Sequence, residues 1–500
     1  MFLGIDVGTS SVKASFIDGV GHTRGSASAP HRTSHLAPGW VEQNAEDWWR
    51  AAVLAVRQAH RQAGMSGKIE LRGIGISSQA PTVLPLDRSG RPLRPALIWM
   101  DRRAEPQSRA LRTLLDEGRV VATVGNRLDP FFVAPKIRWL ADHEPATLER
   151  THTFLQINGY LVHRLTGSLT MDAQHASLLG LRNVDSQAWV PWIGDAVGAD
   201  QAQFPEPVVA TDVVGAVTPA AAEELGIAPG VAVVAGTVDS AAAALEVGTG
   251  EPGWAVEMTG SSTVVVLPHC QPRPHPAFIT MASCLPDQWF SLAAMVSTGA
   301  ALEWARSLLG PDERMEALIH AAMKHQVVFS DVLFLPYLMG ERSPLWDSAA
   351  RGVFLGLTLG TGREALVRSV LEGTSLALRH NMDVASAAGH DVRGLRSIGG
   401  PSASDPWCQM RSDATGLPVE RVSTAAGATF GDAALAMVGT GHVAALADVS
   451  GTAVAFDKTF RPDPLAKPAW DRRYALFRDT YRALTAQFDS MATPSNQENS

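Results

Sequence analysis

The chain alternates short apolar runs with longer stripes of helical period, a pattern that predicts an α/β protein. The first run, Phe2-Leu3-Gly4-Ile5, ends on Asp6; Val7-Gly8-Thr9-Ser10-Ser11 follow, and apolar residues return at Val12, Ala14, Phe16 and Ile17. This is the pattern of a β-hairpin, with strands near 2–6 and 12–18 and small hydroxyl residues at the turn. Further strands are predicted near 72–77 and 82–86. Between the pairs, Trp49, Ala52, Val53 and Val56 share one face of a helix over 45–62, with Asn44 as its cap and Asp47 close behind. Gly230 to Gly236 reads as a buried strand, followed by Asp239 and a small-residue helix start over Ala241 to Leu245. Near the end, Trp470, Tyr474, Phe477, Tyr481, Leu484 and Phe488 predict a helix over 468–489. Periodic aromatics of this kind mark a buried face more readily than a cofactor box.

Gly248, Gly250, Pro252 and Gly253 mark a boundary between two halves. Beyond it the stretch Ala255 to Val266 repeats the opening plan: a strand, the turn Thr259-Gly260-Ser261-Ser262, and a second strand. We read an internal pseudo-repeat of two related α/β domains, over 1–247 and 254–460, with a closing helix and polar tail over 461–500. A length of 500 residues also exceeds what one core serves. The two turns would then face each other across a cleft, a favoured place for a ligand.

Net charge adds an exclusion. With 42 basic and 50 acidic residues the chain carries −8, so there is no basic excess to favour nucleic acid. An anionic ligand would have to be held by local loops. The three cysteines, Cys270, Cys284 and Cys408, are too widely spaced to suggest a disulfide framework or a zinc site. The chain opens directly on a strand and has no apolar stretch long enough for a bilayer. The expectation is a cytoplasmic protein without a membrane partner, for which a homodimer is compatible.

Several segments carry candidate chemistry. The first turn suits a phosphate tail and its magnesium: Gly8 admits close approach, Thr9, Ser10 and backbone N–H groups can donate, and Asp6 can hold the hydrated metal. An ordinary polar turn has the same composition. Asp239 can accept a proton from a substrate hydroxyl, or it can be a plain helix cap. Gly399-Gly400, with Ser404 beyond, allows a flat ligand to approach the backbone, or forms a strand-to-helix turn capped by Ser404. Glu341 and Arg342, in a proline-bounded loop, are either a structural ion pair or organisers of a cleft. Gln79 and Asp101 can bond sugar hydroxyls while Trp99 covers C–H faces; the alternative is a core tryptophan beside a surface Asp–Arg pair.

Taken in order, these segments resemble the FGGY carbohydrate kinases, and most closely their xylulokinase branch. The resemblance runs from Gly4 to about Gly439. It rests on Gly4-Ile5-Asp6-Val7-Gly8-Thr9-Ser10, Pro38-Gly39-Trp40-Val41-Glu42-Gln43, Trp99-Met100-Asp101-Arg102-Arg103, Gly236-Thr237-Val238-Asp239, Met258-Thr259-Gly260-Ser261-Ser262, Gly340-Glu341-Arg342-Ser343-Pro344 and Gly399-Gly400-Pro401-Ser402. It implies an actin-like fold of two ribonuclease-H-like domains closing over ATP and a sugar. Asp6 would then organise magnesium, and Thr9, Ser10 and Lys13 would contact phosphates. Thr259 and Gly260 would form the second phosphate loop. Gly299, opening the helix that contains Glu303 and Trp304, would border the nucleotide, with Gly400 and Ser404 flanking adenine and ribose. Asp239 would be the base, and the sugar end would comprise Gln79, Ala80, Pro81, Trp99 and Asp101. The chain departs from its relatives after Gln79: xylulokinases resemble one another in a Met-His pair there and glycerol kinases carry Arg-Glu, whereas this chain has Ala80-Pro81. The implied reaction is transfer of the ATP γ-phosphate to a primary hydroxyl of a small ketose, D-xylulose first. An actin- or chaperone-like ATPase and a non-catalytic sugar sensor are the competing classes.

Overall fold

The strand Phe2–Val7 is buried along its whole length and is the centre of the first sheet. It pairs antiparallel with Ser11–Ile17, placing Asp6 opposite Lys13 and leaving Gly8 to Ser10 as the turn, and it pairs in parallel with Gly73–Ser78. The sheet runs in the order Val213–Ala216, Ala232–Val234, Gly73–Ser78, Phe2–Val7, Ser11–Ile17, Thr23–Pro30, with Thr237–Val238 also pairing with Gly73–Ser78. The computed structural model describes residues 1–64, 70–248, 253–324, 329–422, 427–453 and 456–492; Gly250 and Pro252 of the expected boundary and the tail from Pro494 lie outside the described residues.

Strand alternation divides the side chains between two faces. Leu3, Ile5, Val7, Ile74 and Ile76 pack against the predicted helix, observed at Ala45–Gln62, through its Trp48, Trp49, Ala52 and Val56. Asn44 caps that helix, its side chain accepting from Glu46 N at 3.0 Å. The opposite face carries small and polar residues: Gly4, Asp6, Gly75 and Ser77. Here the helix Ala428–Gly439 lies directly on the strands. A Cβ added at Gly4 would fall 1.9 Å from the Thr429 carbonyl oxygen, and one at Gly75 1.9 Å from that of Asp432. A Cβ at Gly431 would meet the Ala242 carbonyl oxygen at 2.0 Å, so the helix Asp239–Glu246 is pressed equally close.

The second sheet repeats this plan. Trp254–Thr259 pairs antiparallel with Thr263–His269 and in parallel with Gly394–Ile398. Val419–Val422 and then Phe456–Phe460 extend it. The pseudo-repeat read from the sequence is thus a repeat of topology: a tight hairpin with a parallel strand on its inner flank. Each sheet, with its helices, is the ribonuclease-H-like plan of actin-type ATPases.

The compact units are not consecutive blocks of chain. One comprises Met1–Gly250, Pro268–Ser291 and Ala426–Val454; the other Glu251–Leu267, Leu292–Ala425 and Ala455–Ser500. The expected division into 254–460 and 461–500 differs from this in three ways, the first being that Pro268–Ser291 falls in the first unit. The helix Ala428–Gly439 joins the first unit, because its glycine contacts seat it on that sheet. The final helix, Lys467–Ala492, joins the second, where Trp470, Tyr474, Phe477 and Phe488 are buried, as core packing requires.

The glycine contacts have a direct consequence. Gly75→Ala forces a methyl group into the Asp432 carbonyl and should destabilise the first unit by about 3 kcal/mol or more. Urea unfolding followed by tryptophan fluorescence measures this; a loss under about 0.5 kcal/mol would show that the helix is not seated as described.

Candidate active site

Asp6 and Asp239 lie at strand ends in one unit. Asp6 sits in its strand with only 6% of its surface exposed, and its Oδ1 has no hydrogen-bond partner. Burial raises its pKa to about 6, against the pull of Lys13 across the hairpin. Asp239 is the first residue of its helix, not the cap: Val238 holds the cap position and no side-chain capping bond forms. Its Oδ1 accepts only from the adjoining Ser240 N–H, at 2.6 Å. Burial, with the charge of Asp6 adding to it, lifts the Asp239 pKa to about 7.

A third carboxylate escaped the sequence reading. Asp432 is fully buried, and its Oδ2 accepts from Ser77 Oγ at 3.0 Å. Burial and the charges of Asp6 and Asp239 hold its pKa well above the usual carboxylate range. The available signal was a lone acid within Ala-Thr-Phe-Gly-Asp-Ala-Ala-Leu-Ala, an otherwise apolar helix.

The first turn is exposed and braced from behind. Gly8 N bonds Ser11 O at 3.0 Å. His31 Nε2 meets Gly8 O at 2.9 Å, while Gln43 Nε2 donates to Thr9 O at 2.8 Å. Thr9 and Ser10 themselves remain at the surface. As for a magnesium ion, no group of three or more His, Cys, Asp or Glu suited to a metal exists among the described residues. The orphaned Asp6 Oδ1 nevertheless fits such an ion, which takes one or two carboxylates and completes its shell with water and phosphate.

The expected sugar end is more enclosed than the sequence suggested. Gln79 is 2% exposed; its Oε1 accepts from Trp99 Nε1 at 3.0 Å and its Nε2 donates to Gln43 Oε1 at 2.8 Å. Asp101 is fully buried and accepts from Val41 N at 2.6 Å and from Arg103 Nε at 2.9 Å. Neither an exposed Asp–Arg pair nor an open sugar ligand describes Asp101: the Pro38–Gln43 segment folds over it, and Arg103 stacks 4.1 Å above the Trp40 ring. Trp99 and Ala80 are partly exposed and Pro81 is buried. Behind this strand end, His175 Nδ1 lies 2.6 Å from Asp172 Oδ2 and its Nε2 lies 3.3 Å from Ser78 Oγ, a buried brace that the sequence reading also missed.

The second unit carries a cavity of about 770 Å³ lined by Gly260, Ser261, Gly299, Leu302, Ile319, Gly400, Ser404 and Trp407, among others. That size suits a nucleotide. Its walls meet through glycines: a Cβ on Gly299 would lie 2.1 Å from Gly260 O, and one on Gly399, whose φ is +101°, would lie 2.1 Å from Thr259 O. Gly400 has open space around it, and Ser404 occupies a cap position without making a capping bond. Thr259 is the exception among the expected phosphate contacts. Its side chain points inward, bonding Glu257 Oε1 at 2.7 Å and Thr263 Oγ1 at 2.8 Å, so only its backbone is left for the loop. Glu341 is buried too and accepts from the backbone N–H of Val296 and of Arg342, both at 2.8 Å; burial raises its pKa to about 7. It ties its loop to the sheet.

Two actin-type units, one with two strand-end carboxylates beside a small-residue turn and the other with a nucleotide-sized cavity at the matching turn, are the plan of the actin-like ATPase and sugar-kinase class. Comparison with known proteins narrows the class. Residues 1–246 match the N-terminal domain, and residues 255–440 the C-terminal domain, of the FGGY family of carbohydrate kinases. The chain is 32% identical to the xylulose kinase of Escherichia coli K12 over 97% of its length and 99% of that protein. It is 30% identical to a glycerol kinase of Bordetella parapertussis over 92% of each. The crystal structure of xylulose kinase from Rhodospirillum rubrum superposes with a TM-score of 0.89 at 28% identity, covering 97% of this chain and 99% of that one. The chain belongs to the FGGY family of carbohydrate kinases, and its activity is ATP-dependent phosphorylation of a carbohydrate or polyol. Among the described residues no helix is long and apolar enough to cross a membrane.

The state of Asp432 is testable. In the unfolded chain its carboxyl ionises from about pH 4 upward, whereas the folded one holds its proton to higher pH, so this group makes stability fall as pH rises above that point. Asp432→Asn preserves the acceptor for Ser77 and removes that loss; its urea midpoint at pH 8 should equal or exceed that of the parent. Asp432→Leu strands the Ser77 hydroxyl and should cost about 1–3 kcal/mol. Equal losses in both variants would contradict a raised Asp432 pKa.

Proposed function

We propose that the protein transfers the γ-phosphate of ATP to a primary hydroxyl of a small ketose, D-xylulose first, with Asp239 as the general base. The observation that carries this is the state of Asp239: a first-turn carboxylate, uncapped and half-buried, with a pKa of about 7. A base poised near the working pH combines ionisation with proton affinity. Asp6 is the carboxylate assigned to the magnesium of the nucleotide, and its orphaned Oδ1 supports that role. The ion would neutralise charge on the phosphates. Lys13, cross-strand from Asp6, and the Thr9–Ser10 turn are assigned to phosphate oxygens. In the second unit, adenine is assigned to the apolar cavity bordered by Gly299, Gly400 and Ser404, with Gly260 and the Thr259 backbone next to the phosphates.

The assignment to xylulose is supported by the E. coli and R. rubrum relatives, both xylulose kinases. The glycerol reading has a relative of its own, but the Arg-Glu pair of glycerol kinases is absent after Gln79. Ala80-Pro81 gives that position no side-chain donor, so backbone, Trp99 and other groups must orient the sugar. A coupled ADP-release assay over ketoses, polyols and aldonic acids decides between them: D-xylulose should show the highest kcat/KM, and a preference for glycerol or an aldonic acid would overturn the ketose assignment.

Two expectations concern the base. Asp239→Asn should lower kcat by about 10²-fold or more while ADP still binds in calorimetry; turnover near that of the parent would reassign the base. In the parent, kcat/KM for the sugar should fall with acidification through an apparent pKa near 7, because a protonated Asp239 cannot accept the substrate proton. A rate independent of pH between 5.5 and 8 would contradict this.

A further inference from the structure

Beneath the cavity of the second unit lies a buried charge that the phosphoryl-transfer chemistry does not use. Glu257, 1% exposed, receives four contacts from three groups: Arg411 Nη1 at 2.8 Å from Oε1 and 3.1 Å from Oε2, Thr259 Oγ1 at 2.7 Å from Oε1, and Ser397 Oγ at 2.9 Å from Oε2. Arg411 is equally buried, and its guanidinium stacks 4.4 Å from the centre of the Trp407 ring. Trp407 and Ser404 line the cavity, while Thr259 leads into Gly260 and Ser261 on its opposite margin. Ser397 lies two residues before Gly399, which touches the Thr259 carbonyl. One ion pair therefore touches three of the elements that shape the cavity: the strand Trp254–Thr259, the strand Gly394–Ile398 and the helix Asp405–Thr415.

A buried ion pair is weak evidence for stability, because desolvating two charges offsets most of their attraction. Removing one partner, in contrast, strands the other, and replacing both with apolar residues is often neutral. What the pair supplies is direction. The carboxylate holds the Thr259 hydroxyl on the inner side, at the root of a turn in which Gly260 N bonds Ser262 O at 2.9 Å and Ser261 O accepts from Thr298 N and Ala300 N at 3.0 and 2.9 Å. The guanidinium holds the Trp407 ring against the cavity wall.

We propose that Glu257 and Arg411 are a positioning pair for the nucleotide, setting the turn at Thr259–Ser262 and the Trp407 wall in register for one ligand that spans both. This deepens the proposed function and rests on its placement of the nucleotide. Neither residue touches the reacting atoms, so the effect falls on nucleotide affinity rather than on the sugar.

The test uses the full chain and ADP as the calorimetric probe, with thermal unfolding measured in parallel. Glu257→Gln, close to isosteric, should weaken ADP binding about tenfold or more and raise KM for ATP, with KM for the sugar unchanged. The double variant Glu257→Leu with Arg411→Met separates positioning from mere stability. Its melting temperature should return to within a few degrees of the parent, because no charge is left stranded, yet its ADP affinity should stay about tenfold weaker. Recovery of ADP affinity together with melting temperature would overturn the proposal, as would an unchanged ADP affinity in Glu257→Gln. Failure of the parent itself to bind ADP would instead refute the nucleotide placement, and the positioning role with it.

Discussion

The structure of the first unit depends on the contact of one helix backbone with one face of a sheet. Gly4 and Gly75 allow the helix Ala428–Gly439 to rest its Thr429 and Asp432 carbonyls where any side chain on those strands would stand. Because side chains alternate along a strand, the residues that share this face are Asp6 and Ser77, and the close approach buries them. Burial then sets the chemistry. Ionised carboxylates are disfavoured in low dielectric, which lifts Asp6, Asp239 and Asp432, and the charge of Asp6 lifts the other two further. The packing that builds the sheet also raises the pKa of the carboxylates that it buries.

The second unit solves a different problem with the same parts. Its hairpin, too, is gripped by glycines, with Gly299 against Gly260 and Gly399 against Thr259. Here the small residues draw three elements together around a cavity, and a charge pair beneath it takes the place of the carboxylate cluster. A duplicated topology thus carries two environments: one with a cluster of carboxylates, the other with a largely apolar cavity.

Much of this was legible in the sequence where neighbours in the chain are neighbours in space. The hairpin at Asp6, its repeat at Thr259, the helix over 45–62 and the strand before Asp239 were read from local period and turn chemistry. Asp239 as a helix cap was a reasonable competing reading, and it failed because the helix begins one residue earlier than a cap would require. What could not be read was contact at long range. Asp432 meets Ser77 from 355 residues away, and the position of its helix on the first sheet is invisible to periodicity. Gln79 and Asp101 illustrate the converse. As residue types they suit a sugar, but the Pro38–Gln43 segment takes up their hydrogen-bonding groups, a partnership that composition cannot reveal.

The central claim is that Asp239 is a carboxylate whose affinity for its proton is raised by burial beside a second charge. Titration of the protein carrying carboxyl-¹³C aspartate tests it most directly, with Asp239→Asn used to assign the resonance. The account predicts a signal, absent from the variant, that titrates near pH 7 and shifts downward when Asp6 is replaced by asparagine. An Asp239 resonance that titrates near 4, or one indifferent to the charge on Asp6, would contradict it.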